Sequence, residues 1–167
     1  MTPFQLRPWS LSDLDHLVQF GDNPRIAQNM TGQFPHPYTP EKAKAFIGYA
    51  AGNNPPNILA IEVKGQAAGG IGLHLQSDIH RKNAELGYWL AEPYWGQGII
   101  TRAIQQMVDY GFQNWAINRI FARPFGTNLG SQKALEKAGF LLEARLEQTI
   151  FKNGEYLDEL IYAVRRK

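Results

Sequence analysis

Two glycines, Gly96 and Gly98, stand between a run that alternates like a strand (residues 84–91) and a run that repeats like a helix (residues 99–112). Strand, glycine turn and helix start together aim several free backbone N–H groups at one point. Such a point binds an anion, phosphate above all. The same two glycines also fit a plain tight turn that needs positive φ. The two familiar phosphate signatures are missing. There is no GxxxxGK[ST], and no GxGxxG with an acidic residue placed for a ribose.

A second group lies further along. Asn128, Ser131 and Leu135 fall at i, i+3 and i+7, one face of the helix that follows the next strand. Asn128 is an N-cap by type, and Ser131 is a first-turn serine that can simply satisfy backbone. Either can also present a polar group to a ligand. Glu85, within residues 84–91, and Glu92, just after them, could serve as general bases. Each fits equally a solvent-facing or ion-paired carboxylate. If the strands at 84–91 and 119–125 are parallel neighbours, both helix starts lie at one edge of the sheet. Strands that part there leave a slot.

The elements that must hold these groups read clearly. A strand over residues 4–8 is followed by a helix capped by Ser10 and a short helix from Pro24. Residues 31–40 form a proline-rich loop. Thr39-Pro40-Glu41 opens a helix to about residue 51. Strands at 57–63 and 67–76 are joined by Lys64-Gly65-Gln66. The second carries Ile71, Leu73 and Leu75 on a core face, with Gly70, Gly72 and His74 opposite. Gly87 marks a bulge or a close backbone approach. Strands at 140–151 and 156–164 flank Asn153-Gly154, a hairpin marker. The order β-α-α-α-β-β-β-α-β-α-β-β is one mixed α/β (α+β) domain over residues 1–167.

Composition narrows the function. The net charge of +2 is spread along the chain, which argues against direct nucleic-acid binding. Arg165-Arg166-Lys167 reads as a solvated tail. With no cysteine there is no disulfide, thiolate metal site or cysteine nucleophile. The histidines lack ligand spacing, so no metal is expected. No apolar run reaches the ~18 residues of a membrane span, and Met1-Thr2-Pro3 does not open a signal peptide. These readings give a cytoplasmic protein without a membrane partner. Edge strands at the C-terminal end leave a homodimer open.

Several segments, in this order and spacing, resemble the GNAT superfamily of acetyl-CoA-dependent N-acetyltransferases, and within it the Rim-like, ribosomal-protein N-terminal acetyltransferase branch. They are Phe4-Gln-Leu-Arg-Pro8, Phe34-Pro-His-Pro-Tyr-Thr39, Glu85-Leu-Gly-Tyr-Trp-Leu90, Tyr94-Trp-Gly-Gln-Gly98, Asn128-Leu-Gly-Ser131 and Glu136-Lys-Ala-Gly-Phe140. The resemblance implies a centrally splayed mixed sheet flanked by helices. It implies transfer of acetyl from acetyl-CoA to a primary amine, either a protein N-terminal α-amine or a small molecule, by direct attack in a ternary complex.

Pantetheine would then pair with backbone at Leu90, Ala91 and Glu92. The pyrophosphate would sit on Trp95, Gly96, Gln97, Gly98, Ile99, Ile100 and Thr101. Asn128 would bond the pantetheine arm and Ser131 would face the sulfur. Glu92, Glu85 and Ser131 become the catalytic candidates. Phe34, His36, Tyr38 and Trp89 become candidates for the acceptor site, with residues 22–40, 74–83 and the last hairpin as its walls. A backbone N–H near Trp89 or Leu90 would serve the oxyanion.

The chain departs from the family pattern at Trp95 and Ile100. It also carries Leu135 where many members have a tyrosine that protonates the thiolate, which leaves Ser131 as the donor. These departures motivate one alternative, a CoA-binding sensor or scaffold without catalysis.

Overall fold

The computed structural model describes residues 1–167, and its seven strands form one sheet covered by helices on both faces. The strands are β1 (Gln5–Pro8), β2 (Ile58–Val63), β3 (Gln66–Leu75), β4 (Asn83–Leu90), β5 (Arg119–Ala122), β6 (Leu141–Lys152) and β7 (Glu155–Arg165). The helices are α1 (Leu14–Gly21), α2 (Pro24–Ala27), α3 (Pro40–Ala50), α4 (Ile99–Asn114) and α5 (Leu129–Lys137). The order of strands and helices is the one read from the sequence. Across the sheet it runs β1-β2-β3-β4-β5-β7-β6, antiparallel throughout except for the β4–β5 pair.

The sequence suggests one core face on β3, and the structure gives it two. Ile71 and Leu73 face a cluster with Ile104 and Met107 of α4 and Leu135 of α5. The opposite face meets Trp9, Leu17 of α1 and Ile47 of α3. Glycine makes that second contact possible. A Cβ at Gly70 would stand 2.9 Å from Trp89 Nε1 and 3.4 Å from Trp9 Cζ2.

The bulge expected at Gly87 is absent, because Gly72 and Gly87 pair in regular register. The close approach lies at Gly69, where a Cβ would come 2.5 Å from the Trp89 carbonyl oxygen.

The feature that makes a site is the brevity of β5. Its parallel register with β4 consists of Asn83↔Arg119, Ala84↔Ile120 and Glu85↔Phe121. β5 ends at Ala122, short of the expected residue 125, because Pro124 has no N–H to give a ladder. The chain then leans toward β7: Leu160 N–H donates to the Pro124 carbonyl at 3.0 Å, and Phe125 bridges Glu159. Meanwhile β4 continues along β3 to Leu90. The sheet therefore opens between β4 and β5.

The β6–β7 hairpin turns at Asn153 (φ 52°) and Gly154 (φ 78°), both left-handed, as Asn-Gly demands. Lys152 at its tip donates to the carbonyls of Ala27 and Met30, which ties the hairpin to α2. The C-terminal tail Arg165-Arg166-Lys167 is exposed, as read, and two of its cations also have partners. Arg166 Nε donates to the Ile117 carbonyl at 3.0 Å and its guanidinium lies 5.1 Å from the Phe112 ring centroid, while Arg165 pairs with Glu143 at 2.7 Å. No helix is long and apolar enough to cross a membrane.

Candidate active site

A cavity of about 740 Å³ opens where β4 and β5 part. The end of β4, the glycine turn, the starts of α4 and α5, the β6–β7 hairpin and α2 all contribute to its walls. One wall is bare backbone. Ala91 N–H donates to the Ala68 carbonyl at 2.7 Å, and Gln76 N–H to the Asn83 carbonyl at 3.0 Å. Odd-numbered residues of β4 thus bond β3, and Tyr88 turns its N–H and C=O, and Leu90 its N–H, into the opening. A ligand that carries amides can pair there as an added strand does.

The glycine turn leaves the next wall open. Gly96 (φ 74°) and Gly98 (φ 71°) are both left-handed. No side chain caps α4, and its first N–H groups, those of Ile99, Ile100 and Thr101, have no partner within the helix. The 16-residue helix adds a positive dipole end at the same place. A Cβ at either glycine would meet nothing within 4 Å, so conformation and not crowding requires glycine here. These groups fit a phosphate.

Trp95, the departure from the family pattern, holds the turn to the strand end. Its indole N–H donates to the Leu90 carbonyl at 2.7 Å, and the Arg25 guanidinium lies 5.6 Å from its ring centroid. The cavity touches Leu90, Trp95, Gly96, Gly98, Ile99 and Ile100, and does not touch Ala91, Glu92, Gln97 or Thr101. The Gln97 side chain is used outside, accepting from the Thr2 hydroxyl at 2.6 Å and donating to the Pro93 carbonyl at 3.0 Å.

The start of α5 is built differently. Asn128 is the N-cap: its Oδ1 accepts from the Ser131 N–H at 3.3 Å. Both residues line the cavity. The Ser131 hydroxyl meets the Tyr88 hydroxyl from β4 across the opening. Burial pushes the Tyr88 hydroxyl up to about 12, against the pull of the Ser131 bond. Leu135, one turn on, is fully buried in the core.

Alternation puts Leu86, Tyr88 and Leu90 on one face of the strand and does not single out Tyr88. The available signal was the alternation that puts Tyr88 on the face toward the following helices, where a buried phenol needs a partner.

Both carboxylate candidates are committed elsewhere. Glu85 receives two hydrogen bonds from Arg123, at 3.0 and 3.1 Å, and lies outside the cavity. Glu92 pairs with Arg25 and accepts from the Asn23 amide at 2.8 Å, facing a neighbouring cleft. Each carboxylate is thus occupied by a guanidinium and lies outside the cavity.

Of the acceptor-site candidates, the structure brings only Trp89 to the cavity. Phe34 packs edge-on against Tyr38 and Trp89, with centroids 5.4 and 5.9 Å apart. Tyr38 is buried, which pushes its hydroxyl up to about 12. His36 Nδ1 lies 3.4 Å from Asp22. The rest of the cavity wall comes from Arg25, Ile26, Gln28, Asn29 and Met30, within the expected 22–40 segment, and from Lys152, Asn153, Glu155 and Leu157 of the last hairpin, while residues 74–83 take no part.

A mixed sheet splayed over two helix starts defines an acyltransferase type of architecture. Residues 4–141 match the acetyltransferase (GNAT) domain family, and the chain belongs to it. The resemblance to the GNAT superfamily read from the sequence is borne out.

Ribosomal-protein-serine acetyltransferase of Escherichia coli (strain K12) is 38% identical over 82 residues, 49% of this chain and 46% of that one. The chain spans about half the length of the curated relatives it matches most strongly. Among solved structures, the self-immunity acetyltransferase MccE in complex with acetyl-CoA and AMP is 25% identical, with a TM-score of 0.81 over 98% of this chain and 92% of that one. RimL, a ribosomal-protein alpha-N-acetyltransferase in complex with coenzyme A, has the same fold, with a TM-score of 0.85 at 22% identity over 99% of this chain and 95% of that one.

Proposed function

We propose that this chain transfers the acetyl group of acetyl-CoA to a primary amine by direct attack in a ternary complex. The observation that carries this reading is the opening between β4 and β5, with two helix starts of different character facing it. Acetyl-CoA would supply an activated acetyl thioester. The N–H groups of Ile99, Ile100 and Thr101 and the Gly96–Gly98 turn would hold its pyrophosphate. Tyr88 and Leu90 would offer backbone to its pantetheine amides, and a β4 N–H near Leu90 would receive the oxyanion. Ser131, at the positive end of α5, would face the leaving sulfur.

The amine nitrogen forms the new C–N bond, the C–S bond breaks, and the nitrogen's surplus proton leaves to water. Glu85 and Glu92 are ion-paired outside the cavity and Glu155 at the hairpin is the one carboxylate on its wall, which favours an acceptor that is partly neutral without help. An α-amine, titrating near ~8, meets that condition, whereas a lysine-type amine near ~10.4 does not. A protein N-terminus is therefore the preferred acceptor, in keeping with the ribosomal-protein-serine acetyltransferase of Escherichia coli among the relatives. Its compartment would be the cytoplasm. The long edge strand β6, with exposed Leu141, Leu142 and Leu146, is the surface where a second copy would pair, and light scattering would read a dimer.

The test offers the purified chain acetyl-CoA with a panel of free-N-terminus peptides and polyamines, and follows CoA release and acetylated product by mass spectrometry. Acetylated α-amines support the reading. Tight acetyl-CoA binding with no product from any amine would instead support a sensor or scaffold, the reading that the two ion-paired carboxylates favour.

A further inference from the structure

We infer that Tyr88 is a positioning residue which holds the Ser131 hydroxyl so that its proton faces the sulfur of bound CoA. The inference rests on the acetyl-transfer reading above. Tyr88 comes from β4 and Ser131 from α5, 43 positions apart, and their hydroxyls meet where the sheet has opened.

Ser131 is fixed at its backbone by the Asn128 cap, but a serine hydroxyl turns freely about its own bonds unless a partner orients it. Tyr88 is that partner. The phenol is the stronger acid of the two, so its O–H donates and the Ser131 oxygen accepts. One lone pair of Ser131 is then occupied, and its own proton is free to point into the cavity. With Leu135 buried in the core, no hydroxyl reaches the sulfur side from one turn further along α5.

Magnitudes decide what the pair does with its protons. A phenol raised to about 12 stays protonated through the working range and is a constant donor. It does not surrender that proton to a thiolate whose thiol titrates near ~8.5. The pair therefore lends a hydrogen bond to the developing thiolate and passes no proton. The thiolate is protonated by water on release.

The inference makes a measurement possible that does not need turnover. A hydrogen bond to the charged form lowers a pKa. The thiol of CoA bound to the wild type should titrate lower than in a Tyr88→Phe protein, by about one unit for one hydrogen bond. Thiolate absorbance of the complex reads this shift. Tyr88→Phe keeps the ring and its packing, so the fold persists.

In turnover, Tyr88→Phe should lower kcat about tenfold, with the KM for acetyl-CoA within about twofold. Ser131→Ala should lower kcat at least as much. The double variant should be no slower than Ser131→Ala alone, since Tyr88 acts through Ser131. An unchanged bound-thiol pKa in Tyr88→Phe, or losses that add in the double variant, would overturn the inference while leaving acetyl transfer intact. A Tyr88-dependent thiol pKa in a protein that acetylates no amine would uphold the positioning and sink the transfer.

Discussion

The two helix starts that face the cavity use opposite designs. α4 begins at Gly98, left-handed and without a side-chain cap, so its first N–H groups stay unspent. α5 begins at Asn128, whose Oδ1 accepts from the Ser131 N–H at 3.3 Å and so spends one of the helix's first N–H groups. An unspent helix end can bind an anion. A spent one cannot do so as well, but it fixes the residue that its cap touches. One end of the cavity is thereby made for charge and the other for placing a hydroxyl. This division matches a ligand with a pyrophosphate at one end and a thioester at the other.

Breaking the α4 side should have the largest effect. Gly98→Val forces a β-branched residue into a left-handed position, at a cost of about 1–2 kcal/mol. The turn must shift, and at least one charge-assisted hydrogen bond of about 1.5–3 kcal/mol is lost. Equilibrium binding of acetyl-CoA should weaken about 10- to 100-fold. Binding within twofold of the wild type would remove the turn from the site.

On the α5 side, Ser131→Ala should act on rate and not on binding. Steady-state kinetics should show kcat down about tenfold, equivalent to about 1.4 kcal/mol, with acetyl-CoA KM nearly unchanged. Asn128→Ala should act on stability as well. Losing the cap costs about 1 kcal/mol, a fall of about 2–4 °C in Tm by thermal melting for a chain of this size. A smaller drop in kcat should accompany it, because Ser131 loses its anchor. If Asn128→Ala left both Tm and kcat alone, the cap would have no role in placing Ser131.

The smallest effect should come from Glu92→Gln. Its charge is held by Arg25 at the surface, a pair worth under about 1 kcal/mol. The rate should stay within about twofold, and the rising limb of the pH profile should follow the acceptor amine itself, near ~8 for an α-amine. A large loss at neutral pH, with the limb displaced, would restore Glu92 as the base.

Much of this was legible in the sequence because it depends on local chemistry. Positive φ at Gly96 and Gly98, the cap at Asn128 and the Asn153-Gly154 turn are each dictated by residue type over a few positions. The order of elements followed from periodicity. What stayed hidden was long-range pairing. Nothing near Glu92 or Glu85 in sequence announces Arg25, 67 positions away, or Arg123, 38 away.

Tyr88 was hidden for a different reason. Alternation puts it on one face with Leu86 and Leu90, and only the meeting with Ser131 distinguishes a phenol with a partner from one that merely packs. Phe34, His36 and Tyr38 drew notice as an aromatic, proline-bounded cluster. Two of the three use that character to pack, Tyr38 in the α1–α3 core and Phe34 against it. The cavity wall is instead lined by plainer residues near α2 and the hairpin, which Lys152 draws together.

A crystal structure of the chain with CoA tests the division between the two helix starts most directly. The account predicts pyrophosphate on the N–H groups from Gly96 to Thr101, pantetheine along Tyr88 and Leu90, and sulfur within hydrogen-bonding reach of Ser131. CoA bound outside the β4–β5 opening, or lying with its sulfur at the start of α4, would contradict it.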